Sequence, residues 1–157
     1  MSEIKTTKQK YKKYNLAIAA AIAIFFIADR FLKIAALQSA DKESLHLIKG
    51  LLDFRLTANY GAAFSLPLNG FWFTLTLALV IIALMIAVLY FWKKEDRWPE
   101  TVALSAILAG ALSNYFDRLK YGYVIDYFHL TNFSVFNLAD VLISGGALFL
   151  IIKNLRK

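Results

Sequence analysis

Four apolar runs alternate with shorter polar intervals along this chain, and their lengths predict helices. The first covers residues 16–37, interrupted only by Asp29, Arg30 and Lys33. At about 1.5 Å per residue, a helix of that length crosses a hydrocarbon core of about 30 Å. The second covers residues 70–92, is rich in Leu, Ile, Val and Phe, and ends on Tyr90 and Trp92, which suit a membrane interface. The short charged loop KKEDRWPE makes it the antiparallel neighbour of a third helix at about residues 100–118, with Pro99 suited to the first turn. A fourth helix is expected at about residues 135–152.

The polar intervals read differently from one another. Residues 1–14 carry five lysines and no apolar periodicity, and are expected to form a disordered arm. Residues 38–69 contain LLDFRLTANYGAAFSL, where Leu52, Phe54 and Leu56 alternate with Asp53, Arg55 and Thr57 at the period of a half-buried strand. Gly61, Pro67, Asn69 and Gly70 punctuate its end. Residues 119–135 form a second polar interval, expected to be a loop. The fold class expected is an all-α membrane protein, one domain over residues 1–157, with four transmembrane helices and a small extracytoplasmic β-sheet between helices one and two.

Composition agrees with that class: 59% of the 157 residues are hydrophobic and 18% charged, with a mean hydropathy of +0.55. A soluble domain is usually about half apolar and a quarter charged. The absence of cysteine excludes a disulfide framework, a thiolate metal site and a cysteine nucleophile. The net charge of +7 does not imply nucleic acid, because the basic residues lie at the ends of the apolar runs. The arm, the middle loop and the tail hold eleven Lys and Arg, and the two other intervals hold four. By the positive-inside rule both termini are cytoplasmic and the two motif-bearing intervals face outward. A cleaved signal peptide competes for the first run, but charged residues directly after the apolar core fit a spanning helix better.

Against this background, charged and amide side chains near the helix ends need a reason. Asp126 and Asp140 fall at the same membrane depth, one in the interval after helix three and one near the outer end of helix four. Two carboxylates sharing a site hold one proton near neutrality, so that one activates water while the other hydrogen-bonds a carbonyl. Asn114 and Arg118 share a face of helix three, and Asn137 and Asp140 share a face of helix four. These groups either bind an extended peptide or only join helices by hydrogen bonds. Asp117 adjoins Arg118 and reads as a structural ion-pair group. Asp29 and Lys33, four apart, suit an ion pair, with snorkelling of Lys33 as the alternative. Asn59 and Gly61 lie in NYGAAF, small enough for backbone to approach a ligand, or else a turn into helix two. Asp53, His46 and His129 read as surface groups, and no metal site or cofactor is expected.

Taken together, DRFLK, NYGAAF, GALSNYFDR followed by GYVIDYF, and FNLAD resemble the lipoprotein signal peptidase family (signal peptidase II), over about residues 16–153. The resemblance implies an aspartic endopeptidase of the bacterial plasma membrane that cuts before a cysteine carrying diacylglycerol. It implies that Asp126 and Asp140 are the catalytic pair. Asn59, Gly61, Asn114, Arg118 and Asn137 become substrate-binding residues, and Asp29, Lys33 and Asp117 supporting ones. It also implies a diacylglyceryl-modified prolipoprotein substrate, contact with membrane lipids, inhibition by globomycin-type cyclic peptides, and a monomer. Arg30 stands where glutamine is usual, Ala109 and Ser113 where glycines are common, and Tyr127 where phenylalanine usually follows the aspartate. Ser134 and Val135 replace a proline often found before FN. Two other readings compete: a catalytically inactive homologue that binds lipidated peptides, and a small transporter or proton conductor.

Overall fold

The computed structural model describes residues 2–40, 43–61, 70–94, 97–132 and 134–156. Four helices and four strands follow in the order α1 (Ser2–Gln38), β1 (Leu45–Ile48), β2 (Leu52–Asn59), α2 (Phe71–Trp92), α3 (Trp98–Tyr121), β3 (Val124–Leu130), β4 (Val135–Phe136) and α4 (Leu138–Leu155).

Helix α3 is the central element, packed against α1, α2, α4 and β3. It opens on Pro99 in its first turn and stops at Gly122, whose φ of 80° is a left-handed cap. Its contact with α4 is the largest helix pair, and two glycines set how close the axes come. A Cβ on Gly110 would lie 2.4 Å from the Ala139 carbonyl oxygen, and one on Gly146 would lie 2.8 Å from that of Ala103. Small residues at a helix crossing let backbones meet without a hydrophobic driving force.

The chain is apolar outside and polar inside. Ile24, Ile27 and Phe31 of α1, Leu79, Ile82, Ile86 and Leu89 of α2, and Leu148 and Ile151 of α4 are exposed. By contrast Asp29, Lys33, Asp117 and Asn137 are wholly buried. Among the described residues, α2 and α4 are long and apolar enough to cross a membrane, and few of their residues are fully buried within the protein.

The four strands form one antiparallel sheet in the order β1-β2-β3-β4. The expected sheet between helices one and two is therefore only half of it, because β3 and β4 come from the interval read as a loop. β2 and β3 pair over a long sequence separation, with Thr57 opposite Asp126 and Asn59 opposite Val124. Burial on both faces suits the run Val124–Tyr127. Two further expectations change. Residues 2–14, read as a disordered arm, continue α1 without a break, since lysine-rich sequence has good helix propensity and nothing there breaks a helix. Helix α4 starts at Leu138 rather than Val135, because Val135 and Phe136 pair with β3 and Asn137 caps the helix.

Candidate active site

The polar interior gathers where α3, β2, β3 and the first turn of α4 meet. Asn137 is the N-cap of α4: its Oδ1 accepts from the Asp140 N–H at 2.9 Å, while its own N–H donates to Asp140 Oδ2 at 3.1 Å. This reciprocal capping box fixes Asp140 at the third helical position. The three-residue spacing of Asn137 and Asp140 thus reflects a cap and not two residues on one helical face.

The Asn137 amide nitrogen also reaches the other carboxylate, donating to Asp126 Oδ1 at 2.7 Å and to Asn114 Oδ1 at 3.1 Å. Asn114 Nδ2 donates to Asp140 Oδ1 at 2.8 Å, and Asn59 Nδ2 donates to Asp126 Oδ2 at 2.9 Å. Three asparagines from β2, α3 and the α4 cap therefore bind the two aspartates into one network. Burial, followed by the Asp140 charge, raises the pKa of Asp126 to about 7, against the lowering effect of Asn59, Asn137 and Lys33.

Arg118 lies beside this network. One guanidinium nitrogen donates to the Gly61 carbonyl at 2.8 Å, and the group sits 5.5 Å from the centre of the Phe73 ring. Gly61 is held on its other side as well, its N–H donating to Asn59 Oδ1 at 3.0 Å. The remainder of NYGAAF, Ala62 to Phe64, lies outside the described residues.

Behind the asparagines is a buried ion cluster. Lys33 Nζ pairs with Asp29 at 3.0 Å and with Asp117 at 2.8 Å, and donates to Asn114 Oδ1 at 2.8 Å. Lys33 is wholly enclosed, so it does not snorkel. Asp117, expected as a structural ion-pair group beside Arg118, pairs with Arg30 and Lys33 and accepts from the Ile125 N–H at 3.3 Å. Ser113, at a position where glycine is common in the family, donates to Asp29 Oδ2 at 2.5 Å. The Tyr127 hydroxyl donates to Asp29 Oδ1 at 2.9 Å. The sequence named Arg30, Ser113 and Tyr127 without giving them a task. For Tyr127 the available signal was alternation in VIDYF, which puts Ile125 and Tyr127 on the face opposite Asp126.

Away from the site, His46 Nδ1 lies 2.6 Å from Asp53 Oδ1, so Asp53 is paired and not simply solvated. His129 Nε2 lies 2.8 Å from Thr57 Oγ1.

The model of signal peptidase II matches residues 21–156. The chain belongs to the signal peptidase II family. It is 36% identical over 151 residues to the lipoprotein signal peptidase of Nostoc sp., with 94% of each chain covered. It is 39% identical to that of Microcystis aeruginosa over 83% of this chain and 86% of the relative. Two solved structures, both described as bacterial membrane enzymes, share its fold. One superposes with a TM-score of 0.77 at 26% identity, covering 89% of this chain and 88% of the other. The second has a TM-score of 0.74 at 27% identity, covering 90% and 94%.

Proposed function

We propose that this peptidase removes the signal peptide from diacylglyceryl-modified prolipoproteins, cutting before the lipidated cysteine, with Asp126 and Asp140 as its catalytic pair. The observation that carries this reading is the asparagine network that binds both carboxylates while burial raises Asp126 to about 7. A pair in that state holds one proton at neutral pH. The ionised partner takes a proton from water as it attacks the scissile carbonyl, and the protonated partner donates to the carbonyl oxygen. The proton then passes to the leaving amine, and no covalent enzyme intermediate forms.

Asn59, Gly61, Asn114, Arg118 and Asn137 position the substrate in this scheme, and Asp29, Lys33 and Asp117 support them from behind. The guanidinium of Arg118 and the amides suit the carbonyls of an extended peptide. All four helices span the plasma membrane with both termini in the cytoplasm, and the sheet and the carboxylates lie at the outer leaflet, a topology that the Lys and Arg distribution supports. Residues 1–157 act as one domain and as a monomer. The diacylglyceryl chains stay among the membrane lipids while the peptide enters sideways, and a globomycin-type cyclic peptide occupies the same pocket.

The deciding experiment presents the purified protein with a diacylglyceryl-modified prolipoprotein and, in parallel, with the unmodified precursor, and follows both by gel shift. Cleavage of the modified form alone is expected. Equal cleavage of both would remove the lipid requirement.

A further inference from the structure

Asp126 and Tyr127 are consecutive in β3, so their side chains leave opposite faces of the strand. Asp126 meets Asn59 and Asn137. Tyr127 is wholly buried in the core with Ala36 and Ile125, its ring 5.5 Å from that of Phe54 and 4.8 Å from that of Phe128. Its hydroxyl donates to Asp29 Oδ1 and accepts from the Leu138 N–H, both at 2.9 Å.

Leu138 is the first residue of α4. The first four N–H groups of a helix have no partner within its regular ladder and must find one elsewhere. In α4 the Leu138 N–H goes to the Tyr127 hydroxyl, the Ala139 N–H to Asp29 Oδ1 at 3.2 Å, and the Asp140 N–H to Asn137 Oδ1. The Val141 N–H, at 3.4 Å from the Asn137 carbonyl, already closes a helical turn. Two of the first three amides of the helix bearing Asp140 are thus held by side chains from β3 and α1. Asp29 is itself fixed, with Ser113 and Lys33 on its second oxygen.

We propose that Tyr127 is a positioning residue: its hydroxyl, anchored on Asp29, ties the strand carrying Asp126 to the first turn of the helix carrying Asp140 and so sets the separation of the two carboxylates. The proposal rests on the carboxylate-pair reading above. Phenylalanine, the residue usual at this position in the family, would fill the same space, but in this chain it would leave the Leu138 N–H without its acceptor and Asp29 Oδ1 with the Ala139 N–H alone. Burial, with the Asp29 charge next in size, raises the phenol's pKa, so the hydroxyl keeps its proton and donates throughout the working pH range.

The test is the full-length protein in detergent, assayed against a diacylglyceryl-modified prolipoprotein. Tyr127→Phe is expected to lower kcat by roughly ten- to a hundredfold, as displacements of about an ångström do, with KM within about twofold. Because coupling between carboxylates depends on their distance, the acid and alkaline limbs of the kcat profile should also change their spacing. Leu138→Pro removes the same hydrogen bond from the other side. Proline is accepted at the first helical position, and Asn137 already has the extended backbone it requires, at φ −129° and ψ 176°. Since both changes break the Leu138–Tyr127 bond, the double variant should be no slower than the slower single one. Unchanged kcat, losses that multiply, or a kcat loss with unmoved limbs each overturn the proposal. Should Tyr127→Phe not fold, wild-type kcat and limbs in Leu138→Pro overturn it equally. The carboxylate-pair reading fails separately, if Asp126→Asn or Asp140→Asn keeps activity.

Discussion

Asn137 donates its side-chain amide to Asp126 at 2.7 Å and caps the helix on whose third residue Asp140 sits. One side chain thus serves both aspartates, donating to the Asp126 carboxylate and accepting from the Asp140 backbone N–H, and the two tasks can be separated by substitution. Asn137→Ala removes both. The lost cap should cost about 1 kcal/mol of stability, and turnover should fall by about two orders of magnitude, the scale of a mispositioned catalytic group. Asn137→Asp keeps a good capping residue but replaces the donor with an anion beside Asp126. Its melting temperature should exceed that of the alanine variant at neutral pH while its activity is no better. Thermal unfolding in detergent and a processing assay on the same samples check both halves.

Replacing either carboxylate should stop processing. Asp126→Asn and Asp140→Asn keep size and some hydrogen bonding but cannot exchange a proton with water or the leaving amine. Loss of general acid–base help alone is about 10²–10⁴-fold, and both roles fail together here, so turnover at the detection limit is expected. Circular dichroism should report an unchanged helical content. Substantial residual cleavage by either variant removes the dyad.

The pH dependence has a definite sign. The Asp126 pKa is raised from 3.8 to about 7, so between those values the folded protein holds a proton that the unfolded chain has released. The stability that comes with it is fully present below about pH 4 and is lost as pH rises to about 7. The melting temperature of the wild type should therefore decline across that window. The Asp126→Asn protein should lack that part of the slope. Activity needs the singly protonated pair, so kcat should fall as pH rises past about 7, with both limbs belonging to the pair and not to either residue.

The helix approach at Gly110 lies one turn before Asn114 and faces the Ala139 carbonyl. Gly110→Ala must push α3 and α4 apart where Asn114 holds Asp140, so it should lower both the melting temperature and kcat. Gly146→Ala meets Ala103 and Ile107 farther along the same interface. It should lower the melting temperature with a smaller effect on kcat. Comparable kcat losses at the two positions would detach the helix spacing from the site.

How much of this was legible in the sequence depends on the distance over which each interaction acts. Asp126 and Asp140 stood out because carboxylates among apolar runs are costly, and the Asp29–Lys33 pair followed from a four-residue spacing within α1. The start of α4 was misread although NLAD, an asparagine with an acid three residues on, carries the pattern of a reciprocal cap. The alternation of β2 was visible locally, but its partner β3 lies beyond α2 and α3, and no local pattern encodes a pairing of that range. The same holds for Asp117. Its sequence neighbour Arg118 turns to Gly61, and its actual partners Arg30 and Lys33 come from another helix.

The buried cluster behind the site makes a last prediction about charge balance. Asp29 and Asp117 carry two negative charges, and Lys33 and Arg30 supply two positive ones. Lys33→Met leaves one anion uncompensated in the buried interior and deprives the Asn114 amide oxygen of one donor, leaving it that of Asn137. Removing one partner of a buried pair costs about 3–5 kcal/mol, so the variant should melt well below the wild type or fail to accumulate in membranes. Adding Asp29→Asn restores neutrality and keeps an oxygen for the Tyr127 hydroxyl and the Ala139 N–H. The double variant should therefore recover much of the lost melting temperature. Activity should recover less, because without the ammonium the Asn114 amide that holds Asp140 is oriented by the Asn137 donor alone. A double variant as unstable as Lys33→Met alone would show that packing around the lysine stem, and not charge, is what this cluster contributes.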